Sequence, residues 1–328
     1  MTETYFVYCS AVLLCALLVD RGIGEVKRYH PLVGFGFMAN GLERWLNPPC
    51  ISGRIWWSYG KGIFAWFLIA LPLPVALHCV YSEWGAKWPL FLRLGVDTVI
   101  VYFALGLQSL KQHGLQVYRP LQKGDLATAR HFTGYLVSRD TAALTPSSMA
   151  RATVESMLEN GHDAVIATLF WFVIGGAPAV VLHRLANTLD AMWGYKTPRY
   201  YYFGWAAARS DDALGFLSAK VCALLYACQG HFWRAMMNAF QQSQKYKSHN
   251  GGWVMAAGAT TLNIKLGGRS IYEGKKVLSP LLGQGACVTV ADIPSSLKLV
   301  RRASALFIIA ILIIGLSIMM FNRTVGGA

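Results

Sequence analysis

Three stretches of this chain contain no Asp, Glu, Lys or Arg: Gly62–Ser82, Ala164–His183 and Ala303–Asn322. Each is close to the roughly 20 residues that a helix needs to cross a hydrocarbon core. Weaker runs lie at Thr4–Val19, at Thr98–Leu110, and at Ala213–Trp233 with Lys220 inside it. Only 14% of the 328 residues are charged and 55% are hydrophobic, whereas soluble domains run near a quarter charged. The expectation is an all-α membrane protein with about four to six transmembrane or re-entrant helices and cytoplasmic helical connectors.

The polar stretches divide the chain. Residues 1–110 hold N-terminal membrane helices interrupted by a connector at 20–60, where "RYHPLVGFG" and "NPPC" are rich in breakers. Residues 111–162 form a second connector. In it "GDLATARHFTGYLVSRD" predicts a helix, and "TPSSMARATVESMLEN" predicts another with Thr145 as N-cap and Pro146 at the first helical position. Residues 163–230 form a membrane segment with a polar connector at 184–212. Residues 231–302 are basic and Gly-rich, and 303–322 form a C-terminal span. The chain begins MTET, with no basic residue before the first apolar run and no clear cleavage site, so that run is expected to stay.

The formal net charge is +14. Between Gly230 and Arg302 stand ten Lys or Arg against two acids, Glu273 and Asp292. Beside membrane spans, such a segment reads as cytoplasmic and able to meet anionic headgroups or phosphorylated ligands. No nucleic-acid recognition motif accompanies the charge. The seven cysteines are scattered without a C-x-x-C pair. Neither disulfides nor a zinc site are expected, and Cys9, Cys15, Cys79 and Cys222 read as small apolar residues. "GGRSIYEGKK" is not a phosphate loop, because Arg269 replaces a required glycine and no Ser or Thr follows the lysine.

The stretch "VESMLENGHDAVIATLFWFVIGGAPAVVLHRLANTLD" (154–190) brackets an apolar run with acids and amides. On a regular helix Glu155, Glu159 and Asp163 share one face, with Asn160 near it. Like charges at i,i+4 cost a few tenths of a kcal/mol, which a bound cation would offset. Mg²⁺ favours a few carboxylates together with phosphates. Asn187 and Asp190 would join from the other end if "GGAP" (Gly175–Pro178) folds the run back as a re-entrant element. The competing reading is a solvated acidic face, with Arg151 offsetting Glu155. Asp211 and Asp212 read as surface or N-cap residues, and His30 before Pro31 carries little signal. If 111–162 and 231–302 are cytoplasmic and every run crosses, 184–212 falls outside, so a re-entrant 164–183 is preferred.

Taken in order, "HPLVGFG…LE…LN", "GDL..AR", "SRDT", "VES..EN..DAV…LFW…GGAP", "NTLDAM.GY", "FG.AAARSDD" and "NGGW..AAGA…LGG…Y.G" resemble the adenosylcobinamide-phosphate synthase family, multi-pass membrane enzymes of late cobalamin biosynthesis. The likeness runs from about Asp20 to about Gly285. It implies an acid–amine ligase that joins the amine of aminopropanol phosphate, or a close relative, to the free propionate of adenosylcobyric acid, with ATP and Mg²⁺. On the matching positions it implies Glu155, Glu159, Asp163 and Asp190 as metal ligands, with Asp163, Asp190 and Glu159 as the catalytic set. Arg139, Asp140, Arg151, Asn160, Asn187 and Arg209 become substrate- or phosphate-binding candidates. The implied setting is the bacterial inner membrane, with the site facing the cytoplasm, lipid around it and other late-pathway enzymes as partners. Val26, Thr168, Ser218, His249 and Val254 stand where this family usually carries prolines, which touches loop geometry more than charge. Two other classes compete: a non-enzymatic membrane sensor of the same superfamily, and a transporter. The clustering of charges at segment ends and the lack of an apparent inverted repeat disfavour transport.

Overall fold

A computed structural model describes residues 2–26, 29–48, 55–137, 140–272 and 275–326. In chain order the elements are α1 (Thr2–Ile23), α2 (Pro31–Leu46), α3 (Ile55–Ala70), α4 (Pro72–Glu83), α5 (Leu90–Ala104), α6 (Leu107–Gln122), α7 (Leu126–Leu136) and α8 (Pro146–Gly161). A π-turn, His162–Ile166, leads into α9 (Ala167–Trp193), followed by α10 (Trp205–Ala227), α11 (Phe232–Ser243) and α12 (His249–Thr261). Strands β1 (Ile264–Tyr272), β2 (Lys275–Gly283) and β3 (Ala286–Cys287) precede α13 (Asp292–Gly326). Among the described residues five stretches are long and apolar enough to cross a membrane: Thr4–Ile23, Ile55–Glu83, Leu90–Gln122, Pro146–Trp193 and Asp292–Thr324. The weaker run at Ala213–Trp233 is not one of them; most of it belongs to α10, which carries Asp211, Asp212 and Lys220.

The chain forms two compact units. The first comprises Met1–Leu105, Thr168–Gly215 and Ile311–Ala328; the second comprises Gly106–Ala167 and Phe216–Ala310.

In the first unit, Phe35, Ala39, Ala65, Ala70, Leu185, Leu189, Trp193, Phe203 and Ala207 build one core from α2, α3, α9, α10 and the turn before α10. The "LE…LN" residues lock this core at one end. Buried Glu43 receives Arg199 Nε and Nη2, each at 2.9 Å, and Asn47 Nδ2 at 3.0 Å. The carboxylate holds the guanidinium above its usual pKa. A paired fork of this kind is what makes burial of a carboxylate tolerable. His30 caps α2, its Nδ1 accepting from Leu32 N–H at 3.2 Å. A second buried acid, Asp97 of α5, accepts from the Tyr8 hydroxyl of α1 at 2.6 Å and the Tyr81 hydroxyl of α4 at 2.5 Å, while Arg93 lies 5.2 Å from the Tyr8 ring centre.

The "GGAP" break is present. Gly175 (φ −143°, ψ 18°) and Gly176 (φ 64°, ψ −158°) leave the helical region in the middle of α9. The positive φ at Gly176 is one that L side chains rarely adopt. The stretch Pro146–Trp193 is thus 48 residues with the π-turn and this break inside it, far longer than a single crossing needs.

In the second unit, α8 starts as its sequence predicts. Thr145 Oγ1 accepts from Ser148 N–H and Pro146 opens the helix, a cap of the kind worth about 1 kcal/mol. Asp125 caps α7 in the same way, through Thr128 N–H at 3.0 Å. The all-helical expectation has one exception. The three strands form one sheet of order β2-β1-β3, antiparallel between β1 and β2. Its register slips between Leu266 and Gly268, a bulge built on Gly267 (φ 78°) and Gly268 (φ 83°). Two of the glycines of this Gly-rich segment are the ones the bulge requires.

Candidate functional site

The acids of α8 do not lie on a solvated face. Glu155 is 8% exposed, and its Oε1 accepts the N–H of Gly267 at 2.8 Å. One turn earlier, Arg151 Nη2 donates to the carbonyl of Arg269 at 2.7 Å. Arg151 and Glu155 thus grip the two sides of the β1 bulge. The arrangement needs the bulge: at Gly267 an added Cβ would collide with the carbonyl of Pro280, and the positive φ already disfavours one.

One turn further on, Glu155, Ser156, Glu159 and Asn160 line a cavity of about 150 Å³ with Val137, Tyr246, Lys247 and Met255 among its other walls. Glu159 is half-buried. A Cβ at Gly251, in the first turn of α12, would lie 2.9 Å from Glu159 Oε1, so that glycine makes room for the carboxylate. The N-terminus of α12, capped by Ser248, presents positive dipole to it. Asn160 turns its amide back onto Ser156, reaching the carbonyl at 2.9 Å and the hydroxyl at 3.1 Å. Two carboxylates, a lysine, a phenol and an exposed amide therefore meet at one half-enclosed place.

Asp163 leaves this face. The regular-helix spacing that groups it with Glu155 and Glu159 is interrupted where α8 gives way to the π-turn, which widens the helix by one residue. Asp163 is not among the cavity-lining residues. Its Oδ1 lies 2.6 Å from His162 Nδ1, and His162 Nε2 lies 2.8 Å from Ser218 Oγ. This resembles a Ser–His–Asp relay, but Ser218 is 0% exposed and His162 3% exposed, so no substrate reaches the hydroxyl. The relay orients Asp163. Ser218 and Thr168, two of the positions where prolines were expected, both use their hydroxyls internally; Thr168 donates to the Ala104 carbonyl at 3.3 Å.

In the first unit a separate polar cluster forms on α9 and α10. Asn187 Nδ2 donates to Asp211 Oδ1 at 3.1 Å, and Arg184 Nη1 donates to Asn187 Oδ1 at 3.4 Å. Burial lowers the imidazole pKa of His30, with Glu25 opposing and Arg184 adding to the effect. Asp190 sits beside Gly194, where an added methyl would strike its carboxylate. Asp211 and Asp212 are neither of them N-caps: both lie inside α10, Asp212 exposed and 3.6 Å from exposed Arg209. Asp140 is exposed and accepts from Ala142 N–H at 2.9 Å. Arg139 lies outside the described residues.

The sequence reading missed Lys247, Tyr246 and Asp211. Asp211 carried a legible signal, since it is the acid of "ARSDD". The other two stand in a short connector with no period to mark them. Among the described residues no group of three or more His, Cys, Asp or Glu is arranged to hold a metal ion. Mg²⁺ needs fewer protein ligands, binding through one or two carboxylates together with water and phosphate. Glu155 and Glu159 in one polar cavity fit that donor set.

Comparison with known proteins adds an independent line. The family model described as CobD/Cbib protein matches residues 13–300. Among curated proteins, "Cobalamin biosynthesis protein CobD" of Chromobacterium violaceum is 45% identical over 312 residues, covering 93% of this chain and 98% of its own. The protein of the same name from Stutzerimonas stutzeri is 44% identical over 297 residues, covering 90% and 95%. That from Halalkalibacterium halodurans is 32% identical over 311 residues, covering 92% and 95%. No solved structure matches the chain.

Proposed function

The chain belongs to the CobD/Cbib family, and from that premise we propose that it acts in cobalamin biosynthesis as an ATP-dependent acid–amine ligase. The reaction joins the amine of aminopropanol phosphate, or a close relative, to the free propionate of adenosylcobyric acid. The observation that carries this reading is the cavity that Glu155 and Glu159 of the "VES..EN" motif line together with Lys247.

Amide formation from a carboxylate needs an activated acyl group. A propionate oxygen attacks the γ-phosphorus of ATP, the bond to ADP breaks, and an acyl phosphate results. The amine, having lost a proton, then attacks the carbonyl carbon, and phosphate leaves with the electron pair of the C–O bond. Lys247 supports this by meeting phosphate charge, and Arg151 and Gly267 hold Glu155 in place. Glu159, next to the positive end of α12, is poised to orient the ammonium and accept its proton. Bound Mg²⁺ would be held by Glu155 and Glu159 and would neutralise developing phosphate charge. Asp163 completes the acid set of this unit; Asn187, Asp190 and Arg209 are proposed as substrate contacts of their own unit. The cavity holds about 150 Å³, against roughly 300–1,000 Å³ for pockets that engulf a whole drug-sized ligand. It suits a propionate arm or a phosphate, with the corrin ring outside. The proposed setting is the inner membrane, with 111–162 and 231–302 in the cytoplasm and other late-pathway enzymes as partners.

The test is complementation of a host lacking cobinamide synthase, followed by mass spectrometry of its corrinoids. An adenosylcobinamide species is the expected product. Unchanged cobyric acid, with the protein inserted in the membrane, would overturn the ligase reading. Corrinoid binding without ATP turnover would point to a sensor instead.

A further inference from the structure

Helix α11 is too short to cross a membrane, yet it exposes three large apolar side chains. Trp233 is 81% exposed, Met237 59% and Phe240 58%. They stand at i, i+4 and i+7 and so form one arc of the helix. A neighbouring arc, Ala235, Ala239 and Ser243, is buried within the protein. The remaining arc is polar: Arg234, Asn238 and Gln241, with Lys245 just beyond the C-terminus. A helix serving only as a soluble connector has no reason to carry an apolar arc beside its packed one.

The patch continues onto the helices at its side. Phe240 packs on Trp253 of α12 with ring centres 6.2 Å apart, and Lys220 of α10 sits 5.2 Å from the Trp253 ring centre and 3.3 Å from that of Phe216. Burial lowers the pKa of Lys220, whose ammonium donates to the Phe216 carbonyl at 3.0 Å. An aliphatic stem among aromatics with its head drawn to a carbonyl is how lysine behaves at a lipid boundary.

A further contact ties the chain just before α11 to α13. Gln229, two residues beyond α10, donates to the carbonyl of Leu299 in α13 at 3.2 Å. Leu299 precedes exposed Arg301 and Arg302, after which the uncharged run Ala303–Asn322 begins. At about 1.5 Å per residue, Leu299 is about 6 Å from the start of that run. Trp233 follows Gln229 by four residues, so the first turn of α11 begins close to this contact with the part of α13 that precedes the uncharged run.

We propose that α11 is an in-plane interfacial helix whose Trp233–Met237–Phe240 arc enters the headgroup–acyl boundary of the bilayer, with Arg234 and Lys245 facing anionic headgroups. This goes beyond the ligase reading and does not depend on it. The test places the photocrosslinking residue benzoylphenylalanine at Met237, at Phe240 or at Lys245, in separate full-length chains in native membranes. Using two apolar positions keeps the test valid if one variant misfolds. Lipid adducts are expected at 237 and 240 in severalfold higher yield than at 245. Crosslinks at 237 and 240 to a second copy, to another protein or to a corrinoid, or lipid yields no higher than at 245, would overturn the proposal.

Discussion

At the scale of single residues, the two glutamates of α8 have different work. Glu155 spends one oxygen on the Gly267 N–H, whereas Glu159 lies where the cavity meets the first turn of α12. Glu159→Gln keeps size and polarity and removes the charge, so turnover should fall on the order of a hundredfold with folding intact. Glu155→Gln should also loosen the hairpin, because a charge-assisted hydrogen bond of roughly 1.5–3 kcal/mol is weakened. Hydrogen exchange across 264–283 separates the two: protection is kept in the first variant and reduced in the second. Asp163→Asn and Asp190→Asn should each abolish turnover while leaving membrane insertion unchanged. Rates near wild type for both would make these acids structural. An acid that merely faces water tolerates the amide within about 0.5 kcal/mol.

At the scale of elements, what could be read in advance divides by whether the signal is local. Thr145-Pro146 announces α8, and Gly175-Gly176-Ala-Pro178 announces the interruption of α9, because caps and breakers act within a few residues. The strands were hidden. Their glycines imitate a loop, and the partner that makes sense of Gly267 stands 112 positions away. The π-turn was hidden too, since nothing in the apolar pattern from 154 to 170 marks an extra residue. The acids' grouping depended on that unmarked residue, which is why Glu155, Glu159 and Asn160 share a cavity while Asp163 turns to His162. The bulge gives a direct check. Gly267→Ala combines a strained φ with a backbone collision and should destabilise the hairpin by about 1–3 kcal/mol. Limited proteolysis should cut 264–283 faster in this variant while α1 to α5 stay resistant.

At the scale of the whole molecule, the five apolar stretches make a multi-pass membrane protein, and charge sets the expected sidedness. Ten basic residues against two acids between Gly230 and Arg302 predict that this segment stays in the cytoplasm. Cysteines placed at Lys245 and Lys265 should resist a membrane-impermeant thiol reagent added from the periplasmic side and react once the membrane is opened. Efficient labelling from outside would invert the topology.

The Asp97 junction bears on how such a protein comes to be made. A helix carrying Arg93 and Asp97 enters lipid reluctantly, at a cost of about 2.5–3.5 kcal/mol for a charge near mid-membrane. Its hydroxyl partners are Tyr8 and Tyr81, and both leave the ribosome before it does. When α5 reaches the translocon, the groups that receive its carboxylate have already been synthesised on α1 and α4. The order of residues along the chain is then also an order of birth, in which the costly span arrives after the partners that receive it.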